Sequence, residues 1–286
     1  MRRLKLFHET VYTFQNEVEL GPHKLMLRPR DGHDVRIENS ALQISPNATV
    51  KWYRDALDNS VAIATFTERT KHLSIVSEVT IEHYEDEPLD FLVADYAVNY
   101  PFSYEQDEAV ALAPYLYRQG VENDPELSNF IGRFWQQGQH VETYVLLDQM
   151  SRAIGDENEY LIREEPGVQT PAETLSKGSG SCRDFAFLFM SAARELGLAT
   201  RFVSGYLHAP STESEFGETH AWAEVYLPGA GWKGFDPTSR VVTGNHHIPA
   251  AVAIRPDAVP PVSGHFTGPE GETPRLEVRV QVQPFE

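Results

Sequence analysis

The chain has a single cysteine, Cys182, among 286 residues. No intrachain disulfide can staple the fold, and a reducing compartment, by default the cytoplasm, is expected. No stretch approaches the ~18 consecutive apolar residues of a membrane span. The basic opening Met1-Arg2-Arg3-Leu4-Lys5-Leu6-Phe7 is broken by His8, Glu9 and Thr10 before a signal-peptide core could form, so it reads as a first strand. Positive charge is scarce: 24 Lys and Arg stand against 42 Asp and Glu, a net −18. Nucleic acid and anionic membrane are therefore not expected as partners, because like charges repel. Up to Glu85 the balance is 11 bases to 12 acids, so −17 of the charge lies beyond it, and residues 86–126 hold ten acids and one base, Arg118. That stretch reads as a solvated face. Internal repeats and low-complexity tracts are also missing. Calcium-loop spacing is absent, and His8, His23, His33, His72 and His83 are scattered without metal-ligand spacing, so neither a metal nor another cofactor is expected.

What is present falls into two grammars. From Leu4 to about Tyr84, short apolar-alternating runs are separated by turn residues such as Gly21-Pro22 and Ser45-Pro46-Asn47, the pattern of an antiparallel β-sandwich-like domain over residues 1–100. Residues 101–286 switch to helical period in Gln106 to Arg118, Pro125 to Gln136 and Glu142 to Ile154. Thr170-Pro171-Ala172-Glu173 opens another helix with a capping box, and Gly178 closes it. Val241 to Gly271 is rich in Pro, Gly and His and reads as a long loop; Leu276 to Val282 alternates as a closing strand of this second region. The class is α+β.

The chemistry gathers around Gly178-Ser179-Gly180-Ser181-Cys182-Arg183-Asp184-Phe185. Ser181 and Asp184 have capping-box spacing, and Phe185, Leu188, Phe189, Ala192 and Leu196 follow at helical period, which puts Cys182 in a first helical turn. Orphan N–H groups and the positive end of the helix dipole favour a thiolate there. The glycines before it leave room for a substrate backbone. Thr219-His220-Ala221-Trp222-Ala223-Glu224-Val225 alternates as a strand after a polar loop, and His220 near its start has the pKa range of a base for a thiol. Asp236 in Gly234-Phe235-Asp236-Pro237 is the candidate acceptor that orients the imidazole. Trp222 shares the parity of His220 and is a candidate shield. Glu224 shares it too and calls for a cation, Arg183 or Arg201.

A four-residue turn over Pro228-Gly229-Ala230-Gly231 places Leu227 opposite Trp232 and Asp236 opposite Ala223, three residues or about 10 Å from His220. A bulge, or a tighter turn centred on Pro228, brings them together. His246-His247 alone is a weak metal signal.

Gly180-Ser181-Cys182-Arg183-Asp184-Phe185-Ala186, Val203-Ser204-Gly205-Tyr206, His220-Ala221-Trp222-Ala223-Glu224-Val225 and Gly231-Trp232-Lys233-Gly234-Phe235-Asp236-Pro237-Thr238 together resemble the bacterial transglutaminase-like superfamily, strongly over residues 160 to 240, and the preceding β-module looks like its bacterial N-terminal domain. The resemblance implies a papain-like core with a Cys helix on an antiparallel sheet, with Cys182 as nucleophile, His220 as base and Asp236 as orienter. It also implies amide or peptide hydrolysis through a thioester on a peptide or protein substrate. Transfer of the acyl group to an amine uses the same groups, and a catalytically silent peptide-binding module is the reading from another class. Oligomeric state has no sequence signal.

Overall fold

Alternation along the first 83 residues builds six strands, β1 (Arg2–Leu20), β2 (His23–Leu25), β3 (Val35–Ser45), β4 (Ala48–Arg54), β5 (Ser60–Phe66) and β6 (Arg69–His83), in a computed structural model that describes residues 1–118, 124–163, 165, 167–208 and 218–285. In β1, Leu4, Leu6, His8 and Thr10 point inward at period two. The helices that follow are α1 (Gln106–Leu112), α2 (Pro125–Ile131), α3 (Thr143–Glu157), α4 (Pro171–Lys177) and α5 (Cys182–Glu195). Short strand pairs accompany them: β7 (Asn99–Tyr100) with β8 (Val141–Glu142), and β9 (Glu159–Tyr160) with β10 (Ser179–Gly180). The remaining strands are β11 (Thr200–Leu207), β12 (Glu218–Leu227), β13 (Gly231–Asp236), β14 (Val241–Val242), β15 (His247–Ala253), β16 (Val262–Ser263), β17 (Phe266–Thr267) and β18 (Arg275–Pro284). Among the described residues no helix is long and apolar enough to cross a membrane.

Two antiparallel sheets form the N-terminal unit. One has the order β17-β1-β6-β3 with β18 also on β1, the other β16-β2-β5-β4. Phe14, Val18, Leu25, Leu27, Ala62, Leu73 and Ile75 fill the space between them. The second unit is a five-stranded antiparallel sheet, β14-β13-β12-β11-β15. Phe185, Leu188, Phe189 and Ala192 of α5 are fully buried in one cluster with Ala221, Ala223, Val225 and Leu227 of β12. The helix therefore covers the odd-numbered face of β12.

Two expectations for the C-terminal third are corrected. Residues 241–271 contain β14, β15, β16 and β17 rather than one long loop. Pro249 disguised β15, which tolerates proline because it is an edge strand. The last strand also joins the N-terminal sheet and not the second sheet. It pairs with β1 over ten positions, from Leu4 opposite Pro284 to Thr13 opposite Arg275. Alternation specifies an inner face but not the sheet that covers it. Here Val280 and Val282 join Leu4, Leu6, Val79 and Ile81 against Tyr206, Ile248 and Ala250 of the second sheet, so the chain end seals the two units together.

Candidate active site

Gly178 closes α4, and two residues of extended chain lead to Ser181, the residue before α5. Asp184 has its carboxylate turned back onto this corner. It accepts from the Ser181 N–H at 2.8 Å, the Ser181 hydroxyl at 2.7 Å and the Gln169 N–H at 2.8 Å. Arg163 adds an ion pair in which Nη1 alone reaches both carboxylate oxygens, at 2.8 and 2.9 Å. Burial would raise the Asp184 pKa, but these donors outweigh it and hold the group below the usual carboxylate range. Cys182 is thus the first residue of a helix whose start is fixed by a buried anion. Gly180 serves this corner rather than a substrate: a Cβ there would come within 2.9 Å of the Asp184 Cβ. The spacing from Ser181 to Asp184 was readable from sequence. Arg163 and Gln169, 21 and 15 residues away from Asp184, left no local signal.

The hairpin resolves the register of His220 and Asp236. Leu227 pairs with Gly231 and Ala223 with Phe235, so the turn is three residues long and centred on Gly229, neither the four-residue turn nor the expected one centred on Pro228, with the Ala230 N–H donating to the Leu227 carbonyl. Continuing one step places Asp236 across from Trp222. This moves it onto the face of Trp222 and His220, because a one-residue slip flips every side chain of a strand. His220 is then a diagonal neighbour two residues away, within reach of a long side chain. No bulge is needed.

The contact is direct. His220 Nε2 donates to Asp236 Oδ2 at 2.8 Å, and both groups are buried, at 7% and 0% exposure. With Nε2 committed, Nδ1 is the nitrogen left for Cys182, which lies near enough to help raise the His220 pKa. Asp236 Oδ1 accepts from the N–H groups of Thr238 at 3.0 Å and Ser239 at 3.3 Å. Burial alone would lower the His220 pKa, but the charge and hydrogen bond of Asp236, with Cys182, outweigh it and push it up to about 10. Asp236 is held far below the ordinary carboxylate range: burial opposes this, and the charge and hydrogen bond of His220 win. The three residues singled out from sequence therefore meet. The polar loop before His220 lies outside the described residues.

One partner had gone unrecognised. His247, at the start of β15, donates from Nε2 to the same Asp236 Oδ2 at 3.0 Å. Trp222 is buried against both histidines, with ring centroids 6.3 Å from His220 and 5.3 Å from His247. The cation for Glu224 is Arg201, its cross-strand partner, at 2.5 Å. Among the described residues, His220, Asp236 and His247 form the one group of three metal-type donors. Their separations of 2.8 and 3.0 Å are hydrogen-bond lengths. Ligands sharing a tetrahedral zinc at about 2.0–2.2 Å would stand farther apart.

Two family models match the chain. Residues 4–82 fit the bacterial transglutaminase-like N-terminal region, and residues 136–237, which contain Cys182, His220 and Asp236, fit the transglutaminase-like superfamily core. Residues 136–237 thus carry the transglutaminase-like superfamily core. An uncharacterized protein of Mycobacterium leprae is 34% identical over 115 residues, and one of Mycobacterium tuberculosis 36% over 124 residues. Those matches cover 38% and 40% of this chain and 39% of each relative, so the chain spans about two fifths of the curated relatives it matches. A candidate cysteine protease from Cytophaga hutchinsonii superposes over 100% of this chain and 91% of its own, with a TM-score of 0.72 at 17% identity, a likeness of fold alone. This transglutaminase-like chain thus has a fold that supports cysteine-based catalysis.

Two cavities border Cys182. A cavity of about 360 Å³ borders Cys182 and His220 and is walled by Phe202, Ser204, Val259 and Pro260. A second, of about 280 Å³, shares Cys182, Arg183 and Thr219 with it and is walled by Tyr160, Ile162 and Val278. Val278 belongs to β18, so the chain end that closes the N-terminal sheet also borders the cleft.

Proposed function

We propose that the chain is a cysteine-dependent hydrolase of amide or peptide bonds that works through a thioester on Cys182. The observation that carries this is the buried His220–Asp236 hydrogen bond beside the half-buried Cys182 at the start of α5. Asp236 holds the Nε2–H of His220, so Nδ1 faces the sulfur; the raised His220 already holds the thiol proton there as an imidazolium, and the Cys182 thiolate attacks the substrate carbonyl carbon. The backbone N–H of Cys182, in the first turn of α5, is available to the developing oxyanion. As the tetrahedral adduct collapses, His220 returns the proton to the leaving nitrogen and the carbon–nitrogen bond breaks, leaving an acyl group on sulfur. Water, deprotonated by His220, attacks the thioester and releases the acid and the thiol.

The two adjoining cavities lined by Cys182 support a peptide or protein segment as substrate. Transfer to an amine differs only in which acceptor reaches the thioester. A time course with a Gln-containing peptide donor, with and without a primary amine, separates the two: release that is independent of amine is expected, and incorporation of the amine shows transfer instead. Mass-spectrometric detection of an acyl adduct on Cys182 tests the thioester itself. A Cys182 that alkylates with iodoacetamide no faster than a free thiol at neutral pH, and no slower after His220→Ala, refutes the enzyme reading and leaves the peptide-binding one.

A further inference from the structure

The core family match ends at residue 237, and His247 lies beyond it. We propose that His247 is a positioning residue for this site, whose Nε2–H holds the Asp236 carboxylate with Oδ2 aimed at His220. This rests on the nucleophile reading of Cys182 and extends it to a fourth side chain.

The geometry is specific. A carboxylate only accepts, so both imidazoles must donate from Nε2 to the one oxygen, His220 at 2.8 Å and His247 at 3.0 Å. With Thr238 and Ser239 on Oδ1, the carboxylate has four donors and no remaining freedom to turn. His247 reaches it from the opposite side of β12. It pairs with Leu207 on β11, and two residues on, Pro249 pairs with Gly205, which in turn faces His220. Gly205 keeps the passage open, because a Cβ there would come within 2.7 Å of the Trp222 ring and 2.3 Å of the Ile248 carbonyl oxygen.

A space-filling role does not account for the residue type. His247 Nδ1 is buried with no hydrogen-bond partner among the described residues. A ring of similar size without nitrogens would fill the same volume against Trp222 and leave no polar atom stranded. What the imidazole adds is one N–H on Oδ2. It adds it without a second positive charge, since burial lowers the His247 pKa despite the neighbouring carboxylate. A neutral donor leaves the Asp236 charge to the His220 imidazolium, where a second cation would compete for it.

The test uses the full chain and iodoacetamide, so it needs no knowledge of substrate. Relative to wild type, His247→Phe is expected to slow Cys182 alkylation at neutral pH about 10-fold or more, the order that one hydrogen bond to a charged group is worth. His247→Gln, which can return an amide N–H to Oδ2, is expected to recover most of that loss. A side chain that merely supports the fold gives no such rescue. Nitrogen-15 NMR of the wild-type histidines is a check that survives misfolding of either variant: His247 is expected as the neutral Nε2–H tautomer. A His247→Phe protein that is folded and alkylates as fast as wild type overturns the proposal, as does an Nδ1–H tautomer in the wild type. A wild type no faster than a free thiol overturns the nucleophile reading itself, and the proposal with it.

Discussion

Asp236→Asn removes a charge and almost no volume, and its consequences follow from counting donors. The native carboxylate takes two N–H groups from imidazoles and two from the backbone of Thr238 and Ser239. An amide has one oxygen. The backbone N–H groups cannot reverse, so that oxygen must stay with them, and the NH₂ is turned onto the two histidines. Each imidazole must then present a bare Nε2, which puts the remaining proton of neutral His220 on Nδ1, facing the sulfur it should deprotonate. The tautomer is wrong for a base. In a serine enzyme the equivalent substitution costs about 10⁴ in turnover for this reason, and a loss of about that size is expected here. Two charge-assisted hydrogen bonds at about 1.5–3 kcal/mol each are weakened together, so a stability loss of about 3 kcal/mol is expected. For a chain of this size that is roughly 6–12 °C in Tm. Thermal unfolding and the iodoacetamide rate measure the two effects separately. An unchanged Tm with wild-type alkylation would refute the account of Asp236 as the acceptor that sets the His220 tautomer.

Other perturbations test neighbouring parts of the same account. Gly205→Ala forces a Cβ to within 2.3 Å of a backbone oxygen and onto Trp222, so a loss of about 1–3 kcal/mol in urea unfolding and slower Cys182 alkylation are expected together. Arg163→Met strips the Asp184 carboxylate of its cation; since 20% of the Arg163 side chain is exposed, a cost of about 2–3 kcal/mol is expected, below the ~3–5 of a fully buried pair, again read by unfolding. Because His220 is raised to about 10, its proton should not titrate between pH 5 and 8 in an NMR titration. By linkage, the stability that this raised pKa contributes is complete below the unfolded value near 6.5 and is lost as pH rises through about 10, whereas the Asp236 contribution is present above about 3.9 and lost on acidification. Asp236→Asn should abolish the alkaline part of that profile, and an unchanged alkaline limb would contradict it.

Much of the site could be read from the residue order because it depends on periodicity along one segment. Ser181 and Asp184 at capping distance, followed by Phe185, Leu188 and Phe189, are enough to start a helix at Cys182. Alternation from His220 to Val225 is enough to put His220, Trp222 and Glu224 on one face. These are relations between residues a few positions apart, and backbone geometry dictates them wherever the segment ends up.

What tertiary structure decided is of another kind. Whether Asp236 shares the face of His220 depended on one residue in the turn after Leu227, and alternation on either side is compatible with both registers. The buried anion Asp184 announces itself only as a helix cap; that Arg163 and Gln169 satisfy it follows from how these two residues meet the start of α5. His247 looked like half of a weak metal pair, and became a partner of Asp236 only when β15 took the far edge of the sheet. The alternating strand at the chain end was legible as a strand, but its partner was set by which apolar face, that of Leu4 and Leu6, remained to be covered. Local order is encoded in spacing; the meeting of distant groups is settled by which surfaces exclude water together, and spacing carries no record of that.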